Sequence, residues 1–348
     1  MNRRITGRIA LAAMAATVSI GMGAYPATAD TPTAPGVTTT AKSPDGSYIK
    51  SVTVKDDRNI QLQVYSAAMD QTFPVDVLRP ADTSDARPTL YLLNGAGGGV
   101  DNASWQLRTD ALDFLSDKNI NVVQVIGGAF TWYTDWLEPD KALGVNKWTT
   151  YLGRELPPLI DVALNTNRVN AIAGLSMSGL PVLNSVIFNA GQYRSAAVYS
   201  GLSQTTTPIG REAVKMTTEL YGGGDVANMW GADDNPLWAA NDPTINAERL
   251  RGTNLFISTG TGIPGIYDMP GGKFRMEKPA DTAETVALGA FIEANIDAST
   301  HTLQDRLDQL HIPATFVYRS TGTHSWGYWQ DDLKTSWPVL AAGLYSAP

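Results

Sequence analysis

A serine hydroxyl is a poor nucleophile until a base takes its proton and the chain exposes it. The run Gly174-Leu175-Ser176-Met177-Ser178-Gly179 has the makings of such a site. Ala171-Ile172-Ala173 supplies an apolar strand end before it, small residues flank Ser176, and Pro181 suits the first turn of a following helix. The strict elbow spacing Gly-x-Ser-x-Gly is met loosely, because Ser178 stands where the second glycine is usual. The chemistry on offer is transfer or hydrolysis of an acyl ester through Ser176.

A Ser–His mechanism has three histidines to draw on, His301, His311 and His324. His301 lies among polar residues at the start of an expected helix, and His311 directly precedes Ile312-Pro313, so both read as surface or capping residues. His324 stands in Thr321-Gly322-Thr323-His324-Ser325-Trp326, just after the last expected strand. That is where an α/β-hydrolase carries its base, C-terminal to the nucleophile and the acid. Two N–H donors must meet the oxyanion, one on the residue after the nucleophile and one on the loop after an early strand. Met177 supplies the first, and Ala96, in Asn94-Gly95-Ala96-Gly97-Gly98-Gly99, is the choice for the second. That glycine run has no Gly-Lys-Ser/Thr, and its Gly-x-Gly-x-x-Gly count fails at Val100, so nucleotide binding is discounted. The acid usually follows the strand before the histidine strand, which points to Asp268 beyond strand 254–259.

Positioning these groups requires a sheet. Segments 48–54, 59–66 and 72–78 read as three antiparallel strands separated by turn residues. Continuous apolar runs then follow at 89–94, 121–126, 170–173, 195–200, 254–259 and 314–319, as expected of strands buried on both faces. Helical stretches at 109–117, 147–164, 179–189, 281–297 and 302–310 alternate with them, and 205–251 is an excursion over the top of the sheet. The expected fold class is therefore α/β, an α/β-hydrolase fold with a mostly parallel central sheet, antiparallel N-terminal strands and helices on both faces.

Arg3, Arg4 and Arg8, an apolar stretch 9–22 and Ala27-Thr28-Ala29 form the three parts of a secretory signal peptide over residues 1–29. The Thr/Pro/Ala-rich segment 30–45 is expected to be a flexible lead, and 46–348 the catalytic domain, so the protein is expected outside the cell or at its envelope. Removing the leader takes three arginines and no acids, moving the net charge from −8 to −11. Such an acidic surface excludes nucleic acid as a partner class. With no cysteine and three scattered histidines, no metal site and no cofactor are expected.

With these motifs placed, the chain resembles the secreted mycolyltransferases, the trehalose-mycolate acyltransferases of mycobacteria and corynebacteria that include the fibronectin-binding major secreted antigens. The similarity runs from about Tyr48 to Trp337 through Tyr91-Leu92-Leu93-Asn94-Gly95, Tyr133-Thr134-Asp135-Trp136, Lys147-Trp148, Glu155-Leu156-Pro157, the Ser176 elbow, Met229-Trp230-Gly231, Asn241-Asp242-Pro243 and Gly322-Thr323-His324-Ser325-Trp326. The resemblance implies a Ser-Glu-His triad and transfer of a mycoloyl group from trehalose monomycolate, through the serine, to a second trehalose monomycolate or to cell-wall arabinogalactan. It places the acid at Glu293 in Ala290-Phe291-Ile292-Glu293, with Glu284 and Asp268 as fallbacks.

The implied substrate-binding positions are Asn94, Gly95, Gly97, Gln204, Ser325 and Trp326. Where many mycobacterial members read Asp-Gly-Leu-Arg after the first core strand, this chain reads Asn94-Gly95-Ala96-Gly97, without the Asp and Arg expected to bind trehalose. The Gly-rich loop and absent cysteines are closer to corynebacterial and rhodococcal members. Two other functions compete: a secreted serine carboxylesterase with water as acceptor, and a non-catalytic surface adhesin binding extracellular matrix protein.

Overall fold

The computed structural model describes residues 35–271 and 279–346. The expected signal peptide and the first part of the expected lead lie outside them. Within that lead, the Thr38 N–H donates to the Ala163 carbonyl and Lys42 bridges Tyr48.

Among the described residues nine strands form one sheet, in the order β1-β2-β3-β5-β4-β6-β7-β8-β9. Strands β1 (Tyr48–Val54), β2 (Asn59–Ser66) and β3 (Gln71–Leu78) alternate buried and open positions and pair antiparallel, as strands near a sheet edge should. β3 also meets β5 (Asn121–Val125) antiparallel. From β5 onward every pairing is parallel, through β4 (Arg87–Leu93), β6 (Thr166–Leu175), β7 (Tyr193–Tyr199), β8 (Asn254–Thr259) and β9 (Thr315–Tyr318). The centre of the sheet is buried on both faces, so β4 carries the apolar run Leu90-Tyr91-Leu92-Leu93, β6 carries Ala171-Ile172-Ala173 and β7 carries Ala196-Ala197-Val198-Tyr199. Two apolar clusters cover its faces: one holds Trp132, Trp136, Trp148 and Trp230, the other Trp105, Tyr199, Phe256 and Trp329.

The helices depart from expectation in three places. The expected helix 109–117 is two short ones, α1 (Trp105–Arg108) and α2 (Ala111–Leu115), broken where the Thr109 backbone turns extended. The stretch 147–164 forms as α3 (Trp148–Thr150), a wide-turn segment Tyr151–Glu155 and α4 (Leu156–Ala163). The expected helices 281–297 and 302–310 are one helix, α9 (Pro279–Gln309), because the polar stretch Ser299-Thr300-His301 does not interrupt it. Ser299 is buried there and bonds Ser203, while His301 stacks on Tyr318 with ring centroids 4.1 Å apart. His301 is thus a mid-helix packing residue rather than a helix start.

α5 (Gly179–Phe188) follows the elbow, and α6 (Pro208–Lys215), α7 (Val226–Trp230) and α8 (Pro236–Ala240) make up the excursion. Asp242 pins this excursion by accepting from the N–H groups of Thr205, Thr206, Thr244 and Ile245. α10 (Trp326–Leu344), which periodicity alone did not suggest, closes the chain against β7 and runs through Pro338.

Candidate active site

β6 ends at Leu175, whose backbone is extended, and the chain then reverses through Ser176 at φ +55°. A non-glycine residue held left-handed costs about 1–3 kcal/mol and persists only where its surroundings over-determine it. They do so here. The Ser178 hydroxyl accepts from the Leu175 N–H at 2.9 Å and donates to the Leu175 carbonyl at 2.9 Å, so it fastens the turn. The serine in place of the usual glycine is thus a structural tie. A Cβ on Gly174 would sit 2.4 Å from the Ser178 hydroxyl, and one on Gly179 would sit 2.5 Å from Gly201 Cα. Small residues are required here because α5 packs backbone to backbone against the end of β7.

His324 follows β9, and its ring is held edge-on by Trp329 at 4.8 Å. Its Nε2 lies 2.7 Å from Ser176 Oγ and its Nδ1 lies 2.9 Å from Glu293 Oε2. Ser176, His324 and Glu293 thus form one continuous hydrogen-bonded line across three elements. Glu293 projects from α9 and is completely buried. Its other oxygen, Oε1, accepts from Ser200 Oγ at 2.6 Å, the Gly260 N–H at 2.6 Å and Arg319 Nη2 at 3.1 Å, with Thr259 Oγ1 at 3.2 Å. A buried carboxylate survives only when paired and fully hydrogen-bonded, and this one is.

The other two acids considered have different surroundings. Asp268 accepts from the Thr323 N–H and hydroxyl, the Gly265 N–H and the Tyr328 hydroxyl, so it ties together the loops beside the histidine. Glu284 is exposed on α9. Neither carboxylate is the one that meets His324.

The N–H groups of Ala96 and Met177 donate to no acceptor among the described residues. The Gly95 carbonyl, in the same peptide unit as the Ala96 N–H, accepts from the Gly98 N–H at 3.0 Å, which fixes the orientation of that peptide. A Cβ on Gly95 would lie 3.5 Å from Ser176 Cβ, so the loop passes beside the serine. Gly98 and Gly99 have φ of +62° and +78°, and a Cβ on Gly98 would strike the Gly127 carbonyl at 2.3 Å. The glycine run is therefore explained by a left-handed backbone packed against a neighbouring loop.

The expected substrate-binding positions divide. Asn94 is corrected: it is wholly buried, donating to the Val125 carbonyl and accepting from the Trp105 N–H, and so is closed to a ligand. Gly97 is covered by the Asp101 carboxylate, which a Cβ there would overlap. Trp326 packs edge-on against Trp105 and Trp329, and the Ser325 hydroxyl is buried without a partner among the described residues. Gln204 is half-buried after β7. Sequence reasoning missed Arg319 and Asp332 behind Glu293. Their only signal was a charge at each position, Arg319 at the end of an apolar strand and Asp332 in an aromatic-rich segment.

Among the described residues no cluster of His, Asp or Glu could hold a metal ion, and no helix is long and apolar enough to cross a membrane.

A family model described as putative esterase matches residues 66–339. The diacylglycerol acyltransferase/mycolyltransferase Ag85A of Mycobacterium tuberculosis is 28% identical over 294 residues, covering 82% of this chain and 82% of that protein. The Ag85B counterpart of Mycobacterium leprae is 29% identical over 296 residues, covering 82% and 84%. Among solved structures, Mycobacterium tuberculosis MPT51 matches with a TM-score of 0.67 at 22% identity, over 82% of this chain and 98% of that one. An S-formylglutathione hydrolase from Agrobacterium tumefaciens matches with a TM-score of 0.62 at 15% identity, over 85% and 99%. These likenesses bear out the α/β-hydrolase fold and the resemblance to the mycolyltransferases.

Proposed function

The chain belongs to the putative-esterase family, and we propose that it is a secreted acyltransferase that moves a mycoloyl group from trehalose monomycolate, through an acyl-enzyme on Ser176, to a second trehalose monomycolate or to cell-wall arabinogalactan. The observation that carries the reading is the line Ser176–His324–Glu293, at 2.7 Å and 2.9 Å, with the serine raised on a left-handed turn. The names of the Ag85A and Ag85B relatives supply the substrate class.

In the first half-reaction His324 Nε2 takes the Ser176 proton as Oγ attacks the ester carbonyl. The negative charge on the carbonyl oxygen is met by the N–H groups of Met177 and Ala96. Glu293 holds the Nδ1–H tautomer, so that Nε2 is the free acceptor, and stabilises the imidazolium once it forms. The imidazolium returns its proton to the departing sugar hydroxyl as the carbonyl re-forms, leaving the ester on Ser176. In the second half-reaction His324 deprotonates an acceptor hydroxyl that attacks this ester, and the proton then returns to Ser176. One ester is broken and one is formed, the donor sugar leaves as its free hydroxyl, and Ser176 and His324 return to their starting protonation.

Purified protein given trehalose monomycolate is expected to yield trehalose dimycolate and free trehalose, and Ser176→Ala neither. Absence of both products from a preparation whose Ser176 reacts with a fluorophosphonate would overturn the transferase reading. The same site supports a second function, a carboxylesterase using water, favoured by the Asn94–Gly97 segment, where Gly97 faces Asp101 and no cationic side chain is present. It predicts free mycolic acid as the main product even with added trehalose.

A further inference from the structure

Three formal charges lie behind His324 in a nearly dry space. Arg319 leaves the end of β9 and passes between two carboxylates from different helices. Its Nη2 reaches Glu293 Oε1 at 3.1 Å, and its Nη1 is in close contact with Asp332 Oδ2 on α10. Asp332 is 3% exposed and also accepts from Ser258 Oγ on β8 at 2.8 Å. The guanidinium lies over the Tyr328 ring at 5.3 Å, and Tyr328 in turn bonds Asp268. Among the described residues, Arg319 is the only permanent cation in contact with Glu293.

We infer that Arg319 and Asp332 are positioning residues of the triad: Arg319 holds Glu293 in register with His324, and Asp332 supplies the negative charge that keeps Arg319 from weakening His324 as a base. The inference rests on the reading of Ser176–His324–Glu293 as a catalytic triad. Glu293 stands on a long helix rather than in the turn after β8, so its placement relative to the sheet rests on ties across elements, of which Ser200, Thr259 and Gly260 give neutral ones. Arg319 provides a charged one from β9, and its fork suits two carboxylates as a lysine would not.

Charge counting gives Asp332 its part. Glu293, Arg319 and Asp332 together carry −1 while His324 is neutral, and the cluster becomes neutral when His324 takes the serine proton. Without Asp332 it would pass from 0 to +1, disfavouring the imidazolium. Burial, opposed by Arg319 and Ser258, pushes Asp332 up to about 6, with Glu293 adding to the rise. The groups facing it are Arg319 from the end of β9, Ser258 from β8, Tyr199 from β7 and Glu293 from α9. Buried ion pairs contribute little net stability compared with apolar packing, so fold stability alone is a weak reason for three charges at this place.

The test is the pH profile of kcat/KM on a short-chain ester for the wild type, Asp332→Asn, Arg319→Met and Arg319→Lys, with thermal melts to verify folding. For Asp332→Asn the acid limb should move down by about half a unit or more, with a lower plateau. For Arg319→Met it should move up, with kcat down about 10-fold or more and KM little changed; Arg319→Lys should lie between Met and wild type. A merely structural role would lower activity without moving the limb in opposite directions. If folded Asp332→Asn and Arg319→Met keep the wild-type limb while the wild type is labelled at Ser176 by a fluorophosphonate, the inference is overturned. If the wild type is not labelled at all, the triad reading fails instead.

Discussion

Replacing Glu293 by glutamine changes a single heavy atom, and the surroundings dictate which way the amide must face. At the Oε1 position it meets the Gly260 N–H at 2.6 Å and Arg319 Nη2 at 3.1 Å, neither of which can accept a hydrogen bond. Turning the new NH2 toward them would leave two buried donors unpaired, at about 1–3 kcal/mol each and more for the charged one. At the Oε2 position the NH2 meets His324 Nδ1 at 2.9 Å, which can accept by changing tautomer. The amide oxygen therefore takes the Oε1 place and His324 carries its proton on Nε2. That nitrogen, 2.7 Å from Ser176 Oγ, then donates to the serine instead of accepting from it. Holding the wrong tautomer with geometry intact lowers kcat by about 10^4, or about 5.4 kcal/mol of transition-state stabilisation. The assay is the rate of fluorophosphonate labelling together with kcat on a short-chain ester, beside a thermal melt close to wild type. A folded Glu293→Gln enzyme within tenfold of wild type would refute both the role of Glu293 and the orientation derived for it.

Gly179→Ala should destabilise the protein by about 1–3 kcal/mol, because its Cβ would lie 2.5 Å from the Gly201 backbone and 2.8 Å from Val198 Cγ1, and the backbone cannot yield; an unchanged urea midpoint would contradict the required close approach of α5 and β7. Asp332 should shape stability against pH. Its folded value of about 6 lies above its ordinary 3.8, so its contribution is full below about pH 4 and lost as pH rises through 6. Relative to Asp332→Asn, the wild type should gain on the order of 2 kcal/mol between pH 7.5 and 4 in denaturant titrations; parallel stability curves for the two proteins would rule this out.

Most of the fold was legible because its signals are local. Alternation marked β1 to β3, unbroken apolar runs marked the parallel strands, and small residues on both sides of Ser176 marked a turn that only they can make. His324 was readable from its place after β9, which chain order alone fixes. The single helix α9 was not, because Ser299-Thr300-His301 resembles a break. What carries the helix through is tertiary: Ser299 bonds Ser203, and Leu303 and Leu307 are buried in the core. α10 was hidden by Pro338 and its aromatic residues, and it forms because its buried face packs on the sheet.

The acid shows the limit most clearly. The local rule led to Asp268, whose oxygens are occupied by Thr323, Tyr328 and Gly265, whereas Glu293 came from family resemblance. The sequence by itself determined which residues could be nucleophile and base, since a strand, a tight turn and a following helix are written in consecutive residues. Only the tertiary structure decided which carboxylate completes the line and that Arg319 and Asp332 stand behind it. Glu293, Arg319, Asp332 and His324 come from α9, the end of β9, α10 and the loop after β9, and separations in sequence carry no record of hydrogen bonds across a packed core.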